Sequence, residues 1–237
     1  MSGGVVLAFD TATAATVVGL SLDGRQVSSL ADRPPGGAGP RHAETLLARC
    51  EQALAEGSIR WADLDRFGVG VGPGTFTGLR IGVSTGRGLA QASGAEMVAV
   101  SSLEALSLPA RAQSPGGSVA AVIDARRGEA YVACWGPDGV RRLAPAAAGP
   151  DRLVELICAD GGELMAVGDG ALIFRNPLQN AAITVPDDDS QLHQLQAAAL
   201  CQLAAAANPA ETAELIPDYI RLPDAEMSQG EVRDDND

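Results

Sequence analysis

The stretch that most constrains the fold is GVGPGTFTGLRIG at residues 70–82, because the helix it opens carries glycine where a helix tolerates it least. After the turn a helix is predicted over Thr77–Ala92, and Gly78, Gly82, Gly86, Ala90 and Gly94 recur along it every four positions. Residues four apart share one side of a helix, so one ridge is nearly bare. Each interior glycine costs roughly 1 kcal/mol relative to alanine, and close approach of another backbone is the usual offset. Leu79, Ile81, Val83 and Leu89 add apolar surface beside the ridge. Two packings satisfy the pattern: a helix pressed on its own sheet, or one that also meets a partner helix.

A glycine-rich turn before a helix is also the usual phosphate cradle, but both phosphate motifs fail here. A P-loop needs Gly-Lys-Ser/Thr, and Leu79 follows Gly78. The dinucleotide fingerprint fails because the spacing is one residue too long and Thr77 stands at its third glycine. The chain has no lysine; its 17 basic residues are all arginine against 30 acids, a net charge of −13. That removes Schiff-base chemistry and any broad basic face for nucleic acid. Residues 224–237 hold six of the acids and one arginine, and read as a disordered tail. No apolar run spans a membrane, and no basic leader precedes the first strand, so a cytoplasmic location is expected. Cys50, Cys134, Cys158 and Cys201 fit no zinc or redox spacing and read as buried free thiols.

The chain has two matching halves. Strands at 5–10, 16–22 and near 25–30 form a meander, followed by a helix at 41–56, a strand at 67–71, the glycine helix, a strand at 97–101 and a helix at 103–112. The pattern then restarts: VVLAFDTATAATVVGLSLDG (5–24) aligns with VAAVIDARRGEAYVACWGPDG (119–139), Asp10 with Asp124, and Val17 and Val18 with Tyr131 and Val132. A strand at 140–144, a helix at 151–158, a strand at 164–167, the turn GDGA and a long helix at 190–206 complete the second half. Leu192, Leu195, Ala199 and Leu203 mark that helix's buried face, and Asp187–Asp189 suit its positive end. The expected fold is α/β, a duplicated actin-like (ribonuclease H-like) arrangement of two βββαβα lobes, 1–110 and 118–223. In such folds the two Asp-led hairpin turns face a nucleotide cleft.

The words themselves are distinctive. GPGTFTGLRIG resembles the signature of the TsaB (YeaZ) family, with Thr75 where serine is usual. FDTAT (9–13), RHAETLL (41–47), DARRGEAYVA (124–133) and DYIRLPDAE (218–226) resemble further motifs of that family, in order. The resemblance implies a scaffold with no catalytic residue of its own, serving the synthesis of threonylcarbamoyladenosine at position 37 of tRNAs that read codons beginning with A. It implies pairing with a catalytic TsaD-type paralogue, recruitment of a TsaE-type ATPase, a homodimer when alone, and tRNA contact only through the complex. ATP and Mg would be used by the partner complex, with no cofactor held by this chain. The implied pairing surface lies on the helices at 41–56 and 77–92, with His42, Leu46, Phe76, Leu79, Arg80, Gly82, Val83 and Gly86 as candidates.

Two histidines, His42 and His193, are too few and too far apart for the paralogue's metal pair or for a zinc peptidase. His42 reads as a capping or interface residue and His193 as lying on a wet face. Asp10, Asp124, Gly168, Asp169 and Gly170 are candidate vestigial nucleotide turns, or carboxylates bonding turn N–H groups. An ATPase using Asp10, Asp124 and the 168–170 turn is the alternative. Arg126, Arg127 and Glu129 form either a salt-bridged hairpin or a partner rim, Arg80 an anchor near the helix start, and Trp61 and Trp135 core or half-buried residues.

Overall fold

The computed structural model describes residues 4–34, 39–158 and 162–208. The motif at 218–226 and the acidic tail at 224–237 lie outside the described residues.

The first lobe runs β1 (Val5–Asp10), β2 (Thr16–Leu22), β3 (Arg25–Asp32), α1 (His42–Gly57), β4 (Arg66–Gly72), α2 (Phe76–Ser93), β5 (Glu96–Ser101) and α3 (Ser102–Gln113). The second runs β6 (Ser118–Arg126), β7 (Glu129–Trp135), β8 (Arg141–Ala148), α4 (Pro150–Ile157), β9 (Leu164–Val167), α5 (Asp169–Ile173), α6 (Arg175–Asn180) and α7 (Ala197–Ala206). The sheets have the orders β3-β2-β1-β4-β5 and β8-β7-β6-β9. In each, two antiparallel pairings are followed by a parallel one, β1 with β4 and β6 with β9. This is the duplicated, actin-like α/β fold. Among the described residues the second lobe has no fifth strand, and a single bridge from Met165 to Thr184 stands in its place.

Strand side chains alternate between faces, and the alternation builds five layers. Leu7 and Phe9 of β1 face α1 and α2, in a core with Leu46, Cys50, Phe67, Val83 and Met97. Val6 and Ala8 point the other way, into a central core with Leu103 and Leu106 of α3, Leu200 and Cys201 of α7, and Ala121 and Ile123 of β6. The opposite face of β6, Ala120 and Val122, packs with Leu153, Ala171 and Leu178 of the outer helices. Helices α3 and α7 therefore lie between the two sheets. The chain's last described helix packs on the first lobe's strands β1, β2 and β4. Arg66 of β4 holds it there, its guanidinium donating to the carbonyls of Ala204 and Ala207 at 2.9 and 2.8 Å while also pairing with Glu96 at 3.0 Å. A cation at a helix C-terminus meets carbonyls that have no partner within the helix.

Three expectations are corrected. The long helix at 190–206 is broken into a 3₁₀ turn (Gln191–His193) and α7. The Ser190 side chain accepts from the Leu192 N–H, and Gln194 and Gln196 adopt extended backbone, so the helix restarts only at Ala197. Asp188 consequently pairs with Arg175 at 2.5 Å instead of capping a helix. Cys158 is exposed, because it lies just past the last turn of the amphipathic helix α4; Cys50, Cys134 and Cys201 are buried. Burial pushes the thiols of Cys50 and Cys201 up to about 12 and about 11 respectively, which leaves them unreactive. The halves also align differently from the sequence match. Phe9 faces Val18 where Ile123 faces Tyr131, so Tyr131 corresponds to Val18 and the second hairpin turn is one residue shorter.

Candidate functional site

The first hairpin turn is filled by the protein's own glycine helix. Thr75 N–H, at the N-cap of α2, donates to the Ala12 carbonyl at 2.8 Å, and the Thr11 hydroxyl donates to the Gly78 carbonyl at 2.7 Å. A Cβ on Gly78 would meet the Thr11 carbonyl oxygen at 2.0 Å, one on Gly74 the Ala12 carbonyl at 2.3 Å, and one on Gly82 the Thr11 hydroxyl at 2.5 Å. Further along, a Cβ on Gly86 would strike Val69 at 2.6 Å. The bare ridge thus faces inward, onto the turn and the sheet. The packing that offsets these four glycines is therefore internal.

Asp10 is sealed beneath this turn, with no exposed surface. Its Oδ1 accepts from the Ala12 N–H at 2.7 Å and its Oδ2 from the Ser102 hydroxyl at 2.5 Å. Gly70 backs it so closely that a Cβ there would meet Oδ2 at 2.1 Å. Burial raises its pKa, and the two hydrogen bonds oppose the rise. Asp124 is arranged differently. It accepts from the Arg126 N–H at 2.8 Å and pairs with that guanidinium at 3.3 Å, while its own N–H donates to Asp169 Oδ1 at 3.0 Å. Asp169 also accepts from the Gly170 N–H at 2.9 Å, and burial raises its pKa. Gly168 has φ of 110° and lies against the Val122 carbonyl, where a Cβ would fall 2.1 Å from the oxygen. Between the lobes a cleft of about 200 Å³ is lined by Thr13, Arg33, Leu106, Ile123, Asp169 and His193, among others.

Both histidines differ from expectation. His42 is the first residue of α1 and caps nothing; its ring is buried and its Nδ1 lies 2.8 Å from the Thr16 hydroxyl. Burial lowers its pKa. His193 is buried too, because the break after Ser190 turns its ring inward. Its Nε2 is 3.1 Å from the Pro186 carbonyl, and its Nδ1 lies 3.2 Å from the Gly168 N–H. Among the described residues no group of three or more His, Cys, Asp or Glu could hold a metal ion. Nor is any described helix long and apolar enough to cross a membrane.

Of the residues proposed for pairing, Leu46, Leu79, Gly82, Val83 and Gly86 are buried in the chain's own core and, like His42, present nothing outward. Their periodicity is that of a core-facing stripe, which one sequence cannot distinguish from an interface stripe. Arg80 is exposed and stacks over the half-buried Phe76 ring, 4.0 Å from its centroid. Among what α1 and α2 do present outward are Leu47, 47% exposed, with Ala43 and the charged Glu44 on α1, and Thr77, Arg80, Ser84 and Gly88 on α2. Gly88 is the residue that sequence reasoning missed. It sits inside the helix, off the four-residue repeat, and a Cβ there would meet nothing within 4 Å.

A family model described as TsaD: tRNA N6-adenosine threonylcarbamoyltransferase matches residues 33–227. The relatives include tRNA threonylcarbamoyladenosine biosynthesis protein TsaB of Bacillus subtilis, 30% identical over 195 residues, which are 78% of this chain and 82% of that one. The structure of YeaZ from Pseudomonas aeruginosa superimposes with a TM-score of 0.74 at 29% identity, covering 91% of this chain and 99% of that one. The chain belongs to the TsaB (YeaZ) family. An uncharacterized protein of Mycobacterium leprae is 40% identical over 147 residues, 62% of this chain but only 39% of that longer one. As a TsaB-family member, the chain has a first hairpin turn closed by its own helix and a second that borders an open cleft.

Proposed function

We propose that this chain is the non-catalytic pairing subunit of a tRNA threonylcarbamoyl transferase, acting in the cytoplasm with a TsaD-type catalytic paralogue. Membership of the TsaB family supports the pathway. The observation that carries the pairing surface is Gly88. A glycine inside a helix costs roughly 1 kcal/mol, and no internal contact of Gly88 offsets it. A second backbone approaching the outer face of α1 and α2 does. Leu47 and the small or polar Ala43, Thr77 and Ser84 share this face with the charged Glu44 and Arg80, a mixture suited to helix–helix contact. The same face serves a homodimer when the chain is alone. With a net charge of −13, the chain meets tRNA through its partner. The TsaE-type ATPase joins the assembled pair, and ATP and Mg act there.

The rival reading is an ATPase built on Asp10, Asp124 and the 168–170 turn. It is favoured less because Asp10 is enclosed and the cleft of about 200 Å³ is below the roughly 300–1,000 Å³ typical of ligand pockets. Size-exclusion chromatography with light scattering, on this chain mixed with the TsaD-type protein of the same organism, separates the two. The pairing reading expects a 1:1 complex that Leu47→Glu and Gly88→Glu each abolish. No complex, together with tight Mg-ATP binding by this chain alone, would establish the rival.

A further inference from the structure

We infer that the cleft between the lobes binds a small zwitterion of the α-amino acid class, its carboxylate against Arg33 and its ammonium group against Asp169. The two side chains line one cleft, and no ion pair joins them. Asp169 Oδ1 is fully used, accepting from the N–H groups of Asp124 and Gly170 at 3.0 and 2.9 Å, whereas Oδ2 has no hydrogen bond among the described residues. Arg33 likewise has no acidic partner among the described residues, and partial burial lowers its pKa. Asp169 is a mostly buried carboxylate whose nearest cation, Arg126, is paired with Asp124, and Arg33 is an exposed cation that reaches the same cleft with no described acid bonded to it, so the cleft offers one charge of each sign. A lone anion or a lone amine would satisfy only one of them; a zwitterion satisfies both.

Size and lining narrow the class. The cleft's 200 Å³ or so equals the share of about six or seven waters at ~30 Å³ each, enough for a molecule of about eight heavy atoms. Ala15, Leu106, Ile123 and Leu195 supply an apolar wall suited to a short aliphatic side chain. The buried His193 ring adds no demand of its own, since both nitrogens face backbone groups. This inference does not depend on the pairing surface, which lies on the far side of the first sheet.

The test is saturation-transfer NMR on the full chain with L-threonine as probe, beside its methyl ester, which lacks the carboxylate, and its N-acetyl form, which lacks the ammonium group. Binding in the millimolar range or tighter is expected for L-threonine, weakened at least tenfold by either blocking group and by either Arg33→Gln or Asp169→Asn. Asparagine keeps the Oδ1 acceptor for the two N–H groups, and the exposed Arg33→Gln decides the matter alone if Asp169→Asn fails to fold. No transfer to L-threonine overturns the proposal. So does transfer that survives both variants, or equal binding of the blocked forms.

Discussion

The two hairpin turns began as copies and now do different work. At the first, α2 supplies glycines where any side chain would collide with the Thr11 and Ala12 carbonyls, and Asp10 is closed off beneath. At the second, the turn holds Arg126, Arg127 and Gly128 in left-handed backbone, and the carboxylates of Asp124 and Asp169 are bonded to N–H groups beside a cleft. Filling one turn ties α2 closely to the first sheet. The other turn is left unfilled, beside a cleft of about 200 Å³. Two halves of one topology can thus differ in how their matching turns are occupied.

The largest effect should come from making one substitution at both turns. In an ordinary helix Gly78→Ala would stabilise; here its Cβ lies 2.0 Å from a backbone oxygen, so urea denaturation should show a loss of about 3 kcal/mol. Gly128→Ala meets nothing within 4 Å at φ of 79° and should cost only about 1–2 kcal/mol for the left-handed backbone. Equal losses would break the contrast between a filled and an open turn. Next, Leu79→Ala should lose about 3 kcal/mol as a fully buried residue. Leu47→Ala, on the outer face, should stay within about 0.5 kcal/mol.

Acid–base behaviour sharpens the comparison further. Asp10 has a raised pKa in the fold, so the native state binds the proton more tightly than the unfolded one, and stability falls as pH rises above the ordinary value of 3.8. Asp10→Asn should flatten that fall in pH-resolved unfolding. His42 titrates the opposite way. Its pKa is lowered from 6.5 by burial, so stability is present above 6.5 and is lost as pH drops through the folded value; His42→Gln should remove that loss. The smallest effect is a gain. Gly88→Ala should raise the unfolding free energy of the isolated chain by up to about 1 kcal/mol, and a loss instead would mean that Gly88 packs internally.

The elements with strong periodicity were legible in the sequence. Strands β1 and β6, helices α1 and α2, and the restart of the pattern near residue 118 all follow from alternation or a four-residue repeat. The break at Gln194–Gln196 was not legible, because a run of leucine and alanine keeps helical spacing straight through it while a local Ser190 bond decides otherwise. Nor were the short helices α5 and α6, which are too brief to show a period. At the site, the inward ridge could be read as a need for close approach but not as a choice of neighbour. Gly88 was hidden because it lies off the repeat that made the other glycines conspicuous.

Pairing is tested most directly by reconstituted threonylcarbamoylation of tRNA by the TsaD-type paralogue, with this chain added at a low fixed concentration. Activity should need both proteins, fall at least about tenfold with Gly88→Glu as a loss of about 1.4 kcal/mol or more in pairing would give, and recover when that variant is added in excess. Val140→Glu, at a residue 54% exposed on the second lobe, should leave activity unchanged. Full activity with Gly88→Glu at the low concentration, or modification of tRNA by this chain without the paralogue, would contradict pairing.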